Sequence, residues 1–192
     1  MVFQTIVLFV MVTSSTLTLL VGWFKFQSLM VVAVICLLLV YLNSFHGDCS
    51  KTFLVGNVDE RGKYLVHHNE VALAKAIEVC KPGQLFNIIG AVISKYAEEV
   101  DLRVVPAFIG HGIGEYFHGP PEIYHFENVI DFGVMEPGMT FTIEPILSLG
   151  THELELWDDG WTTSTIDGSR TSQVEHTILI TEDGCEILTL PD

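Results

Sequence analysis

In Met135-Glu136-Pro137-Gly138-Met139-Thr140-Phe141-Thr142-Ile143-Glu144-Pro145, the apolar, β-branched run that follows Pro137-Gly138 carries one carboxylate, Glu144, at its end. Such a run after Pro-Gly predicts a strand over 139–146. Downstream, Ser172-Gln173-Val174-Glu175-His176-Thr177-Ile178 repeats the pattern, a lone glutamate within an expected strand over 171–181. An ionised carboxylate taken into an apolar interior without a partner costs several kcal/mol. Neither run contains Lys or Arg, so a bound divalent metal is the natural counter-charge. The competing reading for each glutamate alone is the solvent face of its strand, because period-two alternation turns half the side chains outward.

Two further residues stand in unusual settings. His111 lies in Gly110-His111-Gly112-Ile113-Gly114, and Asp48 follows Phe45-His46-Gly47 on the way into a strand. Glycines on both sides of a histidine also suit a tight turn. Taken together, the carboxylates of Asp48, Glu144 and Glu175 with the imidazole of His111 form an oxygen-rich set with one nitrogen. That set suits Mn, Fe, Co or Zn and disfavours a structural zinc site, which would use thiolates. Histidines 67, 68, 125 and 152 lack such context and are expected on the surface or in loops. The four cysteines are irregularly spaced, with no C-x-x-C, and read as small apolar residues of a reduced compartment.

Outward from these motifs, the chain from His46 to Asp192 reads as an α+β domain. Lys51–Val55 is an expected strand, Gly56–Gly62 a turn, and His68–Cys80 a helix with Val71, Ala74, Ile77 and Cys80 as its apolar stripe. Gln84–Val100 is a second amphipathic helix, ending in the acidic cluster Glu98-Glu99-Val100-Asp101, read as a solvated face. Strands are expected at Arg103–Ile109, Leu154–Trp157 and Glu186–Leu190 besides the two that carry the glutamates.

The 192 residues are 49% apolar, with mean hydropathy +0.43 and net charge −15, so apolar and charged residues must be segregated. Lys25 is the only charge from Met1 to Phe45. Residues 46–192 hold eight basic against 24 acidic residues, a balance of −16. This excludes a nucleic-acid partner, which needs a basic face. The uncharged runs Ile6–Gly22 and Leu29–Leu42, parted by Trp23-Phe24-Lys25-Phe26-Gln27-Ser28, are candidates to cross a membrane as helices. The second run competes as a buried strand leading into His46. Membrane anchorage through residues 6–42 is one expectation for location, and a cytoplasmic or organellar site is the other.

The ordered motifs Gly110-His111-Gly112-Ile113-Gly114 with Phe117-His118, Met135 to Pro145, and Ser172 to Ile178 resemble the C-terminal catalytic half of a type 1 methionine aminopeptidase, in the pita-bread metallopeptidase family. Tyr41-Leu42-Asn43-Ser44-Phe45-His46-Gly47-Asp48-Cys49-Ser50 fits the same pattern, and the resemblance runs from about Val40 to Leu190. Only 26 positions separate His118 from Glu144, which favours type 1 over the insert-bearing type 2. The resemblance implies an incomplete pita-bread (creatinase/aminopeptidase) fold: an apolar segment at 1–36, then a truncated catalytic domain at 37–192. It implies Asp48, His111, Glu144 and Glu175 as metal ligands, Glu144 also as proton shuttle, and His118 as the substrate-binding, catalytic imidazole on the scissile amide. The substrates implied are N-terminal methionyl peptides or nascent chains.

The chain departs from the family at one ligand. The first aspartate expected eleven residues before Asp48 is Leu37 here, and leucine cannot ligate a metal. One divalent ion rather than two is therefore expected, drawn from Co, Mn, Fe or Zn, with impaired activity. Met1–Cys36 shows no counterpart of the family's N-terminal half and reads as an alternative or aberrant first exon, or a gene-model error, rather than an evolved replacement. The rival reading is a membrane-tethered, non-catalytic pita-bread binding module. A proline-specific peptidase of the same fold is disfavoured, since its histidine-rich signature after the glycine loop is missing.

Overall fold

A computed structural model describes the backbone of residues 6–13, 16–18 and 32–38 and all atoms of 39–160 and 162–190. In chain order the elements are β1 (Ile6–Thr13), β2 (Thr16–Thr18), β3 (Val32–Leu42), β4 (Phe45–Val55), α1 (Glu60–Glu78), α2 (Asn87–Glu99), β5 (Arg103–Val104), β6 (Gly110–Gly112) and β7 (Gly119–Ile123). There follow β8 (Thr140–Ile143), β9 (Ile146–Ser148), β10 (Leu154–Leu156), β11 (Thr163–Thr165), β12 (Thr171–Gln173), β13 (His176–Ile180) and β14 (Cys185–Ile187). Strands β2-β1-β3-β4 form one sheet, β12-β9-β5 a second and β14-β13-β8-β6-β7 a third, with β10-β11 as a separate hairpin.

The membrane helices expected within Ile6–Gly22 and Leu29–Leu42 are corrected for the described residues. Ile6–Thr13, Thr16–Thr18 and Val32–Leu42 are strands, and among the described residues no helix is long and apolar enough to cross a membrane. Their Val, Ile and Thr content favours strand, and ladder partners exist: β1 runs parallel to β3, and β3 antiparallel to β4. The linker at 23–28 lies outside the described residues. The β3–β4 hairpin turns at Asn43 and Ser44, with φ of 51° and 71°, the two positive values that a two-residue hairpin of the right twist requires.

Helix α1 starts at Glu60 rather than the expected His68. Asp59 caps it, its carboxylate accepting from the Gly62 N–H at 2.8 Å, so the last three residues of the stretch read as a turn, Glu60–Gly62, already belong to the helix, which gains two turns ahead of His68. Its buried face is Leu65, Val66, Asn69, Ala72, Leu73, Ala76 and Ile77, while Ala74 is exposed. The expected stripe stepped strictly by three, and such a row drifts around a 3.6-residue helix. Leu65, Ala72, Leu73, Ala76 and Ile77 of α1 and Ile89, Ile93 and Ala97 of α2 share one core with Ile123, Phe141, Ile143, Ile178 and Ile180 of the five-stranded sheet. The acidic residues Glu98, Glu99 and Asp101 are exposed, as the solvated-face reading has it.

The long strands expected at 103–109, 139–146 and 171–181 are shorter or broken. Residues 144–145 separate β8 from β9, and residues 174–175 separate β12 from β13. Pro145 has no N–H to give a ladder, which ends β8 there. Both lone glutamates therefore sit at breaks, not within strands.

Candidate metal centre

Asp48 and Glu175 meet because β4 runs alongside residues 173–177. The Glu175 N–H donates to Ser50 O at 2.9 Å, and the Ser50 N–H donates to Glu175 O at 3.3 Å. On either side a threonine hydroxyl extends the pairing. Thr177 Oγ1 donates to Asp48 O at 2.7 Å and accepts from the Asp48 N–H at 3.2 Å. Thr52 Oγ1 donates to Gln173 O at 2.6 Å and accepts from the Gln173 N–H at 3.0 Å. The pairs 52 with 173, 50 with 175 and 48 with 177 step by two, so Asp48 and Glu175 share a face.

His111 enters from β6, between β7 and β8. Its flanking glycines answer a packing need and not a turn. A Cβ on Gly110 would lie 2.3 Å from Thr142 O, and one on Gly112 would lie 2.0 Å from Pro120 O. The His111 N–H donates to Thr142 Oγ1 at 3.0 Å, and that hydroxyl donates to Glu144 Oε1 at 3.1 Å. Gln173 Nε2 donates to Glu144 Oε2 at 3.2 Å. Glu144 Oε1 then lies 3.7 Å from His111 Nε2. With Nδ1 as donor to Gly112 O at 3.2 Å, His111 Nε2 offers a lone pair.

One donor atom each from Asp48, His111 and Glu175 lies within 4.8 Å of the others, and all three residues are buried. Asp48 Oδ1 and both carboxylate oxygens of Glu175 find no hydrogen-bond partner. Orphaned acceptors at this depth are costly, and a cluster that offers only lone pairs fits a cation. Burial pushes Asp48 up to about 6. Burial, and then the charge of Asp48, pushes Glu144 up to about 8. Glu175 is raised well above the carboxylate range by burial and by the charges of Glu144 and Asp48. His118 is exposed and stands edge-on to His111, with ring centroids 4.3 Å apart. The structure thus brings Asp48, His111, Glu144 and Glu175 together, with His118 beside them.

Position 37 lies on β3 opposite Ser50, two residues along from the partner of Asp48. His125, expected on the surface or in a loop, lies in the loop after β7 but is wholly buried, and its Nε2 accepts from the Glu144 N–H at 3.0 Å. Desolvation holds its imidazole down to about 4. Its neighbours Tyr124 and Phe126 gave no sign of this. Asn69 had a sign, a polar side chain on the buried stripe of α1, but that stripe was misplaced.

The model of metallopeptidase family M24 matches residues 30–182. Over 150 residues the chain is 51% identical to the mitochondrial methionine aminopeptidase 1D of Mus musculus, covering 78% of this chain and 44% of the relative. It is 53% identical over 150 residues to the chloroplastic methionine aminopeptidase 1B of Arabidopsis thaliana, covering 78% and 40%. The solved methionine aminopeptidase of Rickettsia prowazekii matches with a TM-score of 0.76 at 40% identity, over 79% of this chain and 62% of that one. The chain therefore spans less than half the length of these curated relatives. Its architecture is the pita-bread arrangement of these enzymes, and the chain belongs to metallopeptidase family M24.

Proposed function

We propose that this chain is a metal-dependent aminopeptidase that removes N-terminal methionine from peptides and nascent chains. The observation that carries the reading is the buried, unpartnered set of carboxylate oxygens on Asp48 and Glu175 beside the His111 imidazole. Asp48, His111, Glu144 and Glu175 are the ligands we assign to one divalent ion, Co, Mn, Fe or Zn. Such an ion would supply a Lewis acid and lower the pKa of a bound water. Glu144 is suited to take up and return a proton, because Thr142 and Gln173 hold its two oxygens separately and burial raises its pKa. His118, exposed beside His111, is the imidazole we assign to the scissile amide. The similarity to a mitochondrial mouse relative and a chloroplastic Arabidopsis one favours an organellar location.

Leu37 favours a second reading, a non-catalytic binding module of the same fold. Titration calorimetry with Mn²⁺ separates the two. The first reading expects one equivalent bound by the chain, two by Leu37→Asp, and release of free methionine from Met-Ala-Ser that Glu144→Gln abolishes. A chain that takes up no Mn²⁺ and releases no methionine supports the module.

A further inference from the structure

β8 ends at Ile143 in the five-stranded sheet and β9 begins at Ile146 in the three-stranded one, so Glu144-Pro145 is a break between two sheets. A buried break strips backbone groups of their ladder partners, and each must be satisfied some other way. Two side chains do this. The Glu144 N–H donates to His125 Nε2 at 3.0 Å, and Asn69 Nδ2 donates to Pro145 O at 3.0 Å. Both residues are 0% exposed, and neither belongs to the ligand cluster.

Each of them also ties the break to a segment bearing another ligand. His125 Nδ1 bonds Phe108 O at 3.3 Å, just ahead of β6 and His111. A proton on Nδ1 and a lone pair on Nε2 satisfy both contacts with a single tautomer. Asn69 Nδ2 donates to Ser172 O at 2.7 Å, three residues before Glu175. α2 closes over the His125 loop at a glycine, since a Cβ on Gly90 would lie 2.2 Å from Phe126 O and 2.8 Å from Tyr124 O.

We infer that His125 and Asn69 are positioning residues of the metal centre: between them they fix the Glu144-Pro145 break relative to the His111 and Glu175 segments, so that the Glu144 carboxylate points into the cluster. The inference rests on the metal-site reading above. Neither residue touches reacting atoms. Outer partners that orient ligands govern metal affinity by about 10–100-fold.

The test is titration of the full chain with Mn²⁺ by calorimetry, beside thermal unfolding in EDTA. His125→Asn keeps a donor for Phe108 O but is too short to reach the Glu144 N–H, whereas His125→Gln presents an acceptor near the Nε2 position. The expected result is Mn²⁺ affinity lowered about 10–100-fold in His125→Asn and in the near-isosteric Asn69→Leu. His125→Gln is expected to recover most of that loss. Leu73→Ala, in the core on the same face of α1 and 2% exposed, should lower the unfolding temperature and leave Mn²⁺ affinity unchanged. Equal Mn²⁺ affinity in His125→Asn, His125→Gln and the unsubstituted chain overturns the inference, as does an affinity loss in Leu73→Ala as large as theirs. If Asn69→Leu does not fold, the two His125 variants decide. If the unsubstituted chain binds no Mn²⁺, the metal-site reading fails first and takes the inference with it.

Discussion

Along β8, Phe141 and Ile143 turn into the apolar core, while Thr142 and the Glu144 that follows turn to the cluster with His111. The partner strand repeats the division. Ile178 opposite Phe141 is in the core, and Thr177 opposite Thr142 bonds Asp48. One face gains stability by removing hydrocarbon from water, at about 25 cal/mol per Å². The other buries carboxylates whose oxygens lack partners, which opposes folding until a cation arrives. The two faces are a residue apart in sequence and opposite in sign, so the core must hold together a site that would otherwise push itself apart.

Truncating the core face should have the largest effect. Phe141→Ala removes a ring that is 0% exposed, and an aromatic truncation of this kind costs about 3–5 kcal/mol in chemical denaturation. A cost under about 1 kcal/mol would show that the core face does not carry the sheet. On the site face, Glu175→Gln should reverse the usual sign. It should weaken Mn²⁺ binding by more than about 100-fold, beyond the range of outer partners, yet raise the unfolding temperature in EDTA, because a buried carboxylate is replaced by a neutral amide. A lower unfolding temperature in EDTA would mean that Glu175 already has its counter-charge.

The pH dependence sharpens the same contrast. In the folded metal-free chain Asp48 and Glu144 stand at about 6 and about 8, above their ordinary values of 3.8 and 4.5. Groups with raised folded values contribute most below their ordinary values, and that contribution is lost as pH rises through the folded ones. The unfolding temperature in EDTA should therefore fall between about pH 4 and pH 8, by several degrees. Saturating Mn²⁺ should reverse the slope, since metal prefers the deprotonated ligands, and add about 2.7 kcal/mol at 100 times its Kd. A flat profile in EDTA would break the comparison. The smallest effect is expected away from both faces. Asp59→Ala removes the α1 cap and an exposed ion pair with Arg170, lowers the unfolding temperature slightly, and leaves Mn²⁺ affinity unaltered.

Much of this was legible in the letters because charge and hydropathy conflict locally. A glutamate after Thr-Phe-Thr-Ile, or within Gln-Val-Glu-His, stands out whatever the fold. The helices were legible too, although α1 began two turns early because Asp59 caps where glycines suggested a turn. The apolar run before His46 was ambiguous, since a short β-branched stretch satisfies a membrane and a sheet alike. Pairing with β4 decides for strand over Val32–Leu42.

The sequence by itself determined the residue types that the chemistry requires and the family they belong to, because those depend on identity and local order. It also exposed Leu37 where a carboxylate was expected. What only the tertiary structure decided is which buried groups meet. His125 and Asn69, 19 and 76 residues from their Glu144 and Pro145 partners, complete a strand break whose unmet backbone bonds exist only once two sheets and two helices have closed around it. Local patterns report which face a residue takes, whereas a hydrogen bond across such distances is a property of the packed whole.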